Sequence, residues 1–178
     1  MVCVSRVLIA AAVLSLPAGL TAQTPAHTRA GLKSTYDIGK GNIIKAVAQI
    51  GEDLYAFKPV PEVRSMGQLF GHIANANFMI CATAAGEKSP ATTNFETVTK
   101  KADMEKAIAD SFAYCDTVWA KIEGDKGSEA VDVFGMKHTR ASAMAFNGAH
   151  DWEHYGNVVT YMRLKGMTPP SSQGGGGN

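Results

Sequence analysis

The chain has 178 residues, 46% hydrophobic and 8% aromatic, which is enough apolar material for one core and one domain. Seventeen basic residues stand against sixteen acidic ones, a net charge of +1 at pH 7. Without a Lys/Arg cluster, that balance excludes the electrostatic footprint of a nucleic-acid binder and the basic face of a membrane-surface protein.

Residues 1–22 read as a secretory signal. Arg6 is their single charge, Val7 to Leu16 are almost all apolar, and Pro17 and Gly19 break the run before the small residue Ala22. The apolar run is too short for a membrane anchor, so export to the periplasm or the medium is expected, with no stable membrane insertion after the signal is removed. Cleavage would leave sixteen basic and sixteen acidic residues and two of the three cysteines, Cys81 and Cys115. An even number of cysteines in an oxidising compartment permits a disulfide; two buried free thiols are the alternative.

Residues 23–170 carry four stretches of helical periodicity and no sustained strand alternation, an all-α outline. The first helix is predicted from about Arg29 to Leu54, with Ile43, Val47, Ile50 and Leu54 on one stripe and Gly39, Gly41 and Gly51 as local weak points. Pro59 and Pro61 force an extended connection. Ser65 then starts the second helix as an N-cap, with Gln68 completing a capping box. That helix runs to about Ala85, carries Met66, Leu69, Ile73, Ala76 and Ile80 on its apolar face, and ends at Gly86. A polar crossover spans Glu87 to about Thr99.

The third helix has the most regular seam: Met104, Ile108, Ser111, Cys115, Val118 and Ile122 alternate spacings of four and three. About thirteen crossover residues suffice for a return along the bundle, which allows the second and third helices to be parallel. Cys81 and Cys115 then lie at nearly the same depth, whereas an antiparallel pair separates them, so bridge and orientation stand or fall together. Ala130 to Met136 reads as a strand-like connector. The fourth helix is predicted from about Thr139 to Lys165, stopped by Gly166, and from Ser171 a Gly/Ser tail without apolar residues is expected to be disordered.

The fourth helix departs from the pattern of the others. Its seam reads Ala143, Asn147, His150, His154, Asn157, Tyr161, with polar groups where the third helix has Met, Ile and Val. Burying them is unfavourable unless each finds a partner, and a metal is the simplest common one. His150 and His154, four apart, project from one face and can share a cation, with His72 on the second helix as the natural third ligand. A hydrogen-bonded histidine core is the alternative. His138 reads as solvated or as a group on the substrate side. The string His150-Asp-Trp-Glu-His154 also fits the inverted zincin pattern, but no acidic residue follows Glu153 to serve as the further ligand, so that match is taken as accidental. Met144, Trp152, Tyr155, Val159 and Met162 make a second apolar side of this helix, which implies deep burial or packing on another copy of the chain.

The run from Pro61 through His72 to Asn77, the Ala84-Ala-Gly-Glu helix end, and the stretch from His150 to Pro170 resemble the DinB-like family of metal-binding four-helix bundles, over roughly residues 30–172. The resemblance implies an up-down-down-up bundle with parallel second and third helices. It further implies one divalent metal on His72, His150 and His154, and frequent homodimers. Zinc and nickel both suit imidazole. Thiol S-transferases in the family imply a small thiol cofactor, although an exported protein meets little of the cytoplasmic thiol pool, so a metal-dependent hydrolase or another transferase acting on a small molecule fits as well. Asn77, Asn147, Asn157 and Tyr161 are the candidates for groups that orient substrate or support the ligands. The rival reading is a non-catalytic, dimerising protein that binds a metal or small ligand.

Overall fold

The structure, a computed structural model, describes residues 25–174; the expected signal at 1–22 and the last four residues of the expected tail lie outside them. Four long helices, α1 (Pro25–Gln49), α2 (Met66–Ala85), α3 (Lys101–Lys121) and α4 (Arg140–Leu164), form the fold, with a two-stranded hairpin, β1 (Ala130–Val133) and β2 (Met136–Thr139), between the last two. Among the described residues no helix is long and apolar enough to cross a membrane.

The contact registers give the helix directions. Asn77 meets Ser111, Phe78 meets Tyr114 and Cys81 meets Cys115, positions that rise together, so α2 and α3 are parallel. Between α2 and α4 the order reverses: Ala84 meets Arg140, Asn77 meets Asn147 and His72 meets His150. Between α1 and α3 it reverses as well, with Arg29 on Glu123, Tyr36 on Asp116 and Lys101 on Ile50. Trp152 on α4 donates to the Thr35 carbonyl of α1 while Gln173 beyond α4 reaches Gln49, so α1 and α4 run together. The topology is up-down-down-up, and Cys81 and Cys115 are joined by a disulfide, which the shared depth of the two cysteines on parallel helices allows.

The seams predicted from spacing fill the core. All six positions of the α3 seam are buried, as are Met66, Leu69, Ile73, Ala76 and Ile80 of α2. Ser65 and Gln68 form the capping box, and Gly86 closes α2 in the left-handed conformation at φ 72°. The second apolar side of α4 packs within its own chain, where Met144, Tyr155 and Met162 are buried and the Trp152 indole lies over Gly39. A Cβ at position 39 would stand 3.0 Å from the indole nitrogen, so the glycine that weakens α1 locally also admits Trp152. Burial within the chain accounts for Met144, Tyr155 and Met162, while Trp152 and Val159 stay half-buried.

Three expectations need correction. α1 ends at Gln49 rather than Leu54; Gly51 sits in extended backbone and the chain turns through a short 3-10 segment, Glu52–Leu54, that leaves Leu54 against the core's edge. The strand-like connector is a complete hairpin, paired from Ala130↔Thr139 to Val133↔Met136, with its turn at Phe134 (φ 53°) and Gly135 (φ 79°). Both turn residues are left-handed, the geometry two-residue hairpins favour, and Phe is not a residue that advertises it. Finally, Ser171 to Gly174 are not a disordered tail. Pro170–Ser172 form a 3-10 turn in which the Tyr155 hydroxyl donates to Ser171 Oγ and accepts from the Ser171 backbone N–H, both at 3.0 Å. Residues 171–174 are ordered here because Ser171 satisfies a tyrosine hydroxyl set against the core.

Candidate metal centre

Two antiparallel helices deliver the three histidines. His72 stands on the second turn of α2, and His150 and His154 occupy successive turns of α4, so their rings project into the same gap. His150 Nε2 lies 3.2 Å from His72 Nε2 and 3.0 Å from His154 Nε2. The three ligand atoms all fall within 4.8 Å of one another, and among the described residues these histidines are the grouping placed to hold a metal ion. Nitrogens bound to one ion at about 2.0–2.1 Å stand about 2.9 Å apart at a right angle and about 3.4 Å apart at the tetrahedral angle. The observed spacings lie between those limits. Three ring nitrogens facing one another cannot all be satisfied by sharing protons, whereas a cation satisfies all three lone pairs.

Electrostatics favour the ligating form. Burial, then the neighbouring His154 and His72 and the Arg64 guanidinium, push the His150 imidazolium down to about 4. Burial, with His72 and Arg64 adding, also lowers His154, partly offset by Glu153 and Glu96. His150 is therefore neutral near pH 7, as a metal ligand must be.

Glu96, a residue with no signal in the sequence pattern, orders the site from outside. Its Oε1 stands 3.0 Å from His72 Nδ1 and its Oε2 accepts from Arg64 Nε at 3.2 Å. A carboxylate on Nδ1 fixes the proton there and turns the Nε2 lone pair toward the site. Glu96 reaches His72 because the crossover lies directly on α2. Asn75 accepts from the Phe95 backbone N–H at 3.0 Å and donates to Asn94 Oδ1 at 2.7 Å. At Gly71 a side chain would overlap the Phe95 carbonyl and the Glu96 Cα. Gly71→Ala is thus expected to lift the crossover, separate Glu96 from His72 and lower metal affinity by about ten- to a hundredfold, the usual weight of such an outer partner. Titration against a chromophoric chelator checks this, with circular dichroism confirming that the helices persist.

The other expected site residues divide. Asn77 and Asn147 are fully buried one layer deeper: Asn147 donates to Asn77 Oδ1 at 2.8 Å and to Asp151 Oδ2 at 3.3 Å, and Asn77 donates to Ser111 at 3.2 Å. They make a polar link across α2, α3 and α4 and do not contact the imidazoles. Asn157 is exposed and Tyr161 buried, and both line a cleft of about 610 Å³ that opens at His154 and also takes in Arg64, Glu96 and Glu153. The Tyr161 hydroxyl donates to the Arg64 carbonyl at 3.0 Å. His138 lies apart, 3.2 Å from Ser142 Oγ and against the Phe146 ring.

Asp151 was also missed. It is 1% exposed, its Oδ1 has no partner among the described residues, and burial alone pushes its carboxyl well above the usual range. The fold therefore favours the protonated acid. The unfolded chain releases that proton near pH 4, so wild-type stability is full below that value and is lost as pH rises toward the native pKa. Asp151→Asn removes the dependence and supplies an N–H toward the unpartnered Asn147 Oδ1. In metal-free protein the variant is expected to melt higher than wild type at pH 8, with the gap closing toward pH 4. A gap that does not change with pH rejects the neutral buried acid.

Comparison with known proteins agrees with this geometry. The DinB superfamily model matches residues 36–158, a span that includes all three histidines. A DinB-like protein from Bacillus cereus ATCC 10987 superposes with a TM-score of 0.68 at 15% identity, over 79% of this chain and 95% of that one. A DinB-like protein from Bacillus subtilis gives 0.63 at 20% identity, over 78% and 93%. A mycothiol-dependent maleylpyruvate isomerase gives 0.62 at 14% identity over 73% of this chain, which spans 60% of that enzyme. No curated protein matches the sequence significantly. At such identities the structural likeness shows the fold.

Proposed function

The chain belongs to the DinB superfamily, and from that premise we propose that it is an exported protein that holds one divalent ion, zinc or nickel, on His72, His150 and His154 and uses it as a transferase or hydrolase of small molecules. The convergence of three Nε2 atoms at 3.0 and 3.2 Å carries the reading. Three neutral imidazoles leave coordination positions open, the arrangement of a catalytic rather than a closed structural ion. The cleft beside His154 gives a substrate access to that side, which favours an enzyme over a non-catalytic binder.

When bound, such an ion supplies a Lewis acid that lowers the pKa of a water or a thiol and so provides a nucleophile near neutral pH. The chain's own residues prepare the site for it. Burial and mutual proximity keep His150 unprotonated, Glu96 holds the His72 ring, and Tyr161 anchors the backbone at Arg64. The thiol-dependent isomerase among the structural neighbours supports a small thiol as the activated group, and hydrolysis by water is the other outcome. Export is supported by the residues 1–22 pattern and by the buried Cys81–Cys115 disulfide, which suits an oxidising compartment.

Metal content of untagged, exported protein tests the proposal. About one equivalent of zinc or nickel is expected, followed by metal-dependent consumption of a thiol with an electrophile or of a simple ester. Protein that stays metal-free after reloading with either ion overturns it.

A further inference from the structure

Arg64 is a fixed cation beside a site proposed to hold another, and the one carboxylate between them, Glu96, is shared between Arg64 and His72. Its guanidinium is held by one edge only. Nε donates to Glu96 Oε2 at 3.2 Å, the residue's carbonyl is anchored by Tyr161, and among the described residues its two Nη atoms have no partner. The side chain is 42% exposed and lines the cleft that opens at His154. The free end-on edge of a guanidinium is a planar two-donor fork, matched to the two oxygens of a carboxylate.

The charges around the cleft limit what it accepts. Lys58 and Arg64 face Glu62, Glu96 and Glu153, so the lining carries one net negative charge without the metal and one net positive charge with a dication. A monoanion neutralises the loaded site; a dianion exceeds it, and the metal-free cleft repels both. We propose that the protein's small-molecule substrate carries a carboxylate that docks on the free Nη edge of Arg64, and that it binds only after the metal. The inference rests on the metal reading above. Arg64 is then the residue that selects for the substrate's acid group, and the rest of the substrate lies along the cleft toward His154.

Calorimetric titration of benzoate into cobalt-loaded wild type, Arg64→Gln and Arg64→Lys, with inorganic phosphate as a second probe and metal-free protein as a third arm, tests this. Cobalt uptake is measured first in each protein. The expected result is one benzoate per bound cobalt in wild type and no binding to metal-free protein. Arg64→Gln should bind at least about tenfold more weakly and Arg64→Lys in between, the cost of losing the fork. Equal benzoate affinity in cobalt-loaded wild type and Arg64→Gln overturns the role of Arg64 alone. Phosphate binding as tight as benzoate overturns the carboxylate assignment, and benzoate binding to metal-free protein overturns the order. Failure of wild type to take up cobalt overturns the metal centre and this proposal with it.

Discussion

Replacing His150 by alanine is expected to lower zinc affinity by two to three orders of magnitude, more than any other single change in this chain. Zinc-finger sites release roughly 10–16 kcal/mol over four ligands, so one ligand is worth about 2.5–4 kcal/mol. His150 is the central ligand, since its Nε2 is the atom within 3.2 Å of both others. Glu96→Gln removes the charge on His72 Nδ1 but leaves every ligand in place, so a loss of about ten- to a hundredfold is expected. Asn77→Ala disturbs a buried link that does not touch the imidazoles, and metal affinity should survive while stability falls. Competition with a chromophoric chelator, beside thermal melts of the same variants, gives the order His150, then Glu96, then Asn77. Zinc affinity within tenfold of wild type in His150→Ala would sink the three-histidine site.

That ordering also divides what the sequence discloses from what it conceals. The histidines are legible because helical spacing alone puts His150 and His154 on one face, and because a seam of Asn, His and Tyr cannot be buried without partners. The α3 seam and the depth of each cysteine along its own helix are legible for the same reason: both are properties of one helix at a time, whereas the parallel orientation that pairs the cysteines is a relation between two helices. Glu96 is not, since its place beside His72 depends on the path of the crossover, and that path is set by Gly71 and Asn75 on another element. The only local sign was a glycine inside a helix, next to a histidine. Asp151 was hidden by its neighbours. The His-x-x-Glu-His match drew attention to Glu153, which is exposed at the cleft, whereas two residues earlier, at Asp151, the helix points inward and buries the carboxyl. The hairpin and the ordered tail escaped because backbone geometry at Phe134 and a tyrosine sixteen residues from Ser171 determine them, and neither is a matter of composition.

Removal of the disulfide should have the largest effect on stability. Cys81 and Cys115 are both fully buried and close a loop of 34 residues, for which the chain-entropy relation gives about 4 kcal/mol. A Cys81→Ala, Cys115→Ala variant is expected to lose about that much, a fall of roughly 10 °C in Tm for a fold of this size. The crossover between the bridged helices also carries Glu96, so the question is whether the bridge sustains the site or only the bundle. Cys81 is nine residues from His72 along α2, about 13 Å at the helical rise, and the crossover is pinned nearer by Gly71, Asn75 and Arg64. Those contacts do not pass through the disulfide. The folded variant should therefore bind zinc within about threefold of wild type at a temperature well below its lowered Tm, because ligands held by independent contacts keep their geometry. A destabilised variant with intact zinc affinity makes the bridge a staple for the bundle alone. Parallel loss of stability and affinity would instead show that the α2–α3 pair positions Glu96 as one unit, and would reject the independence of the crossover's own anchors.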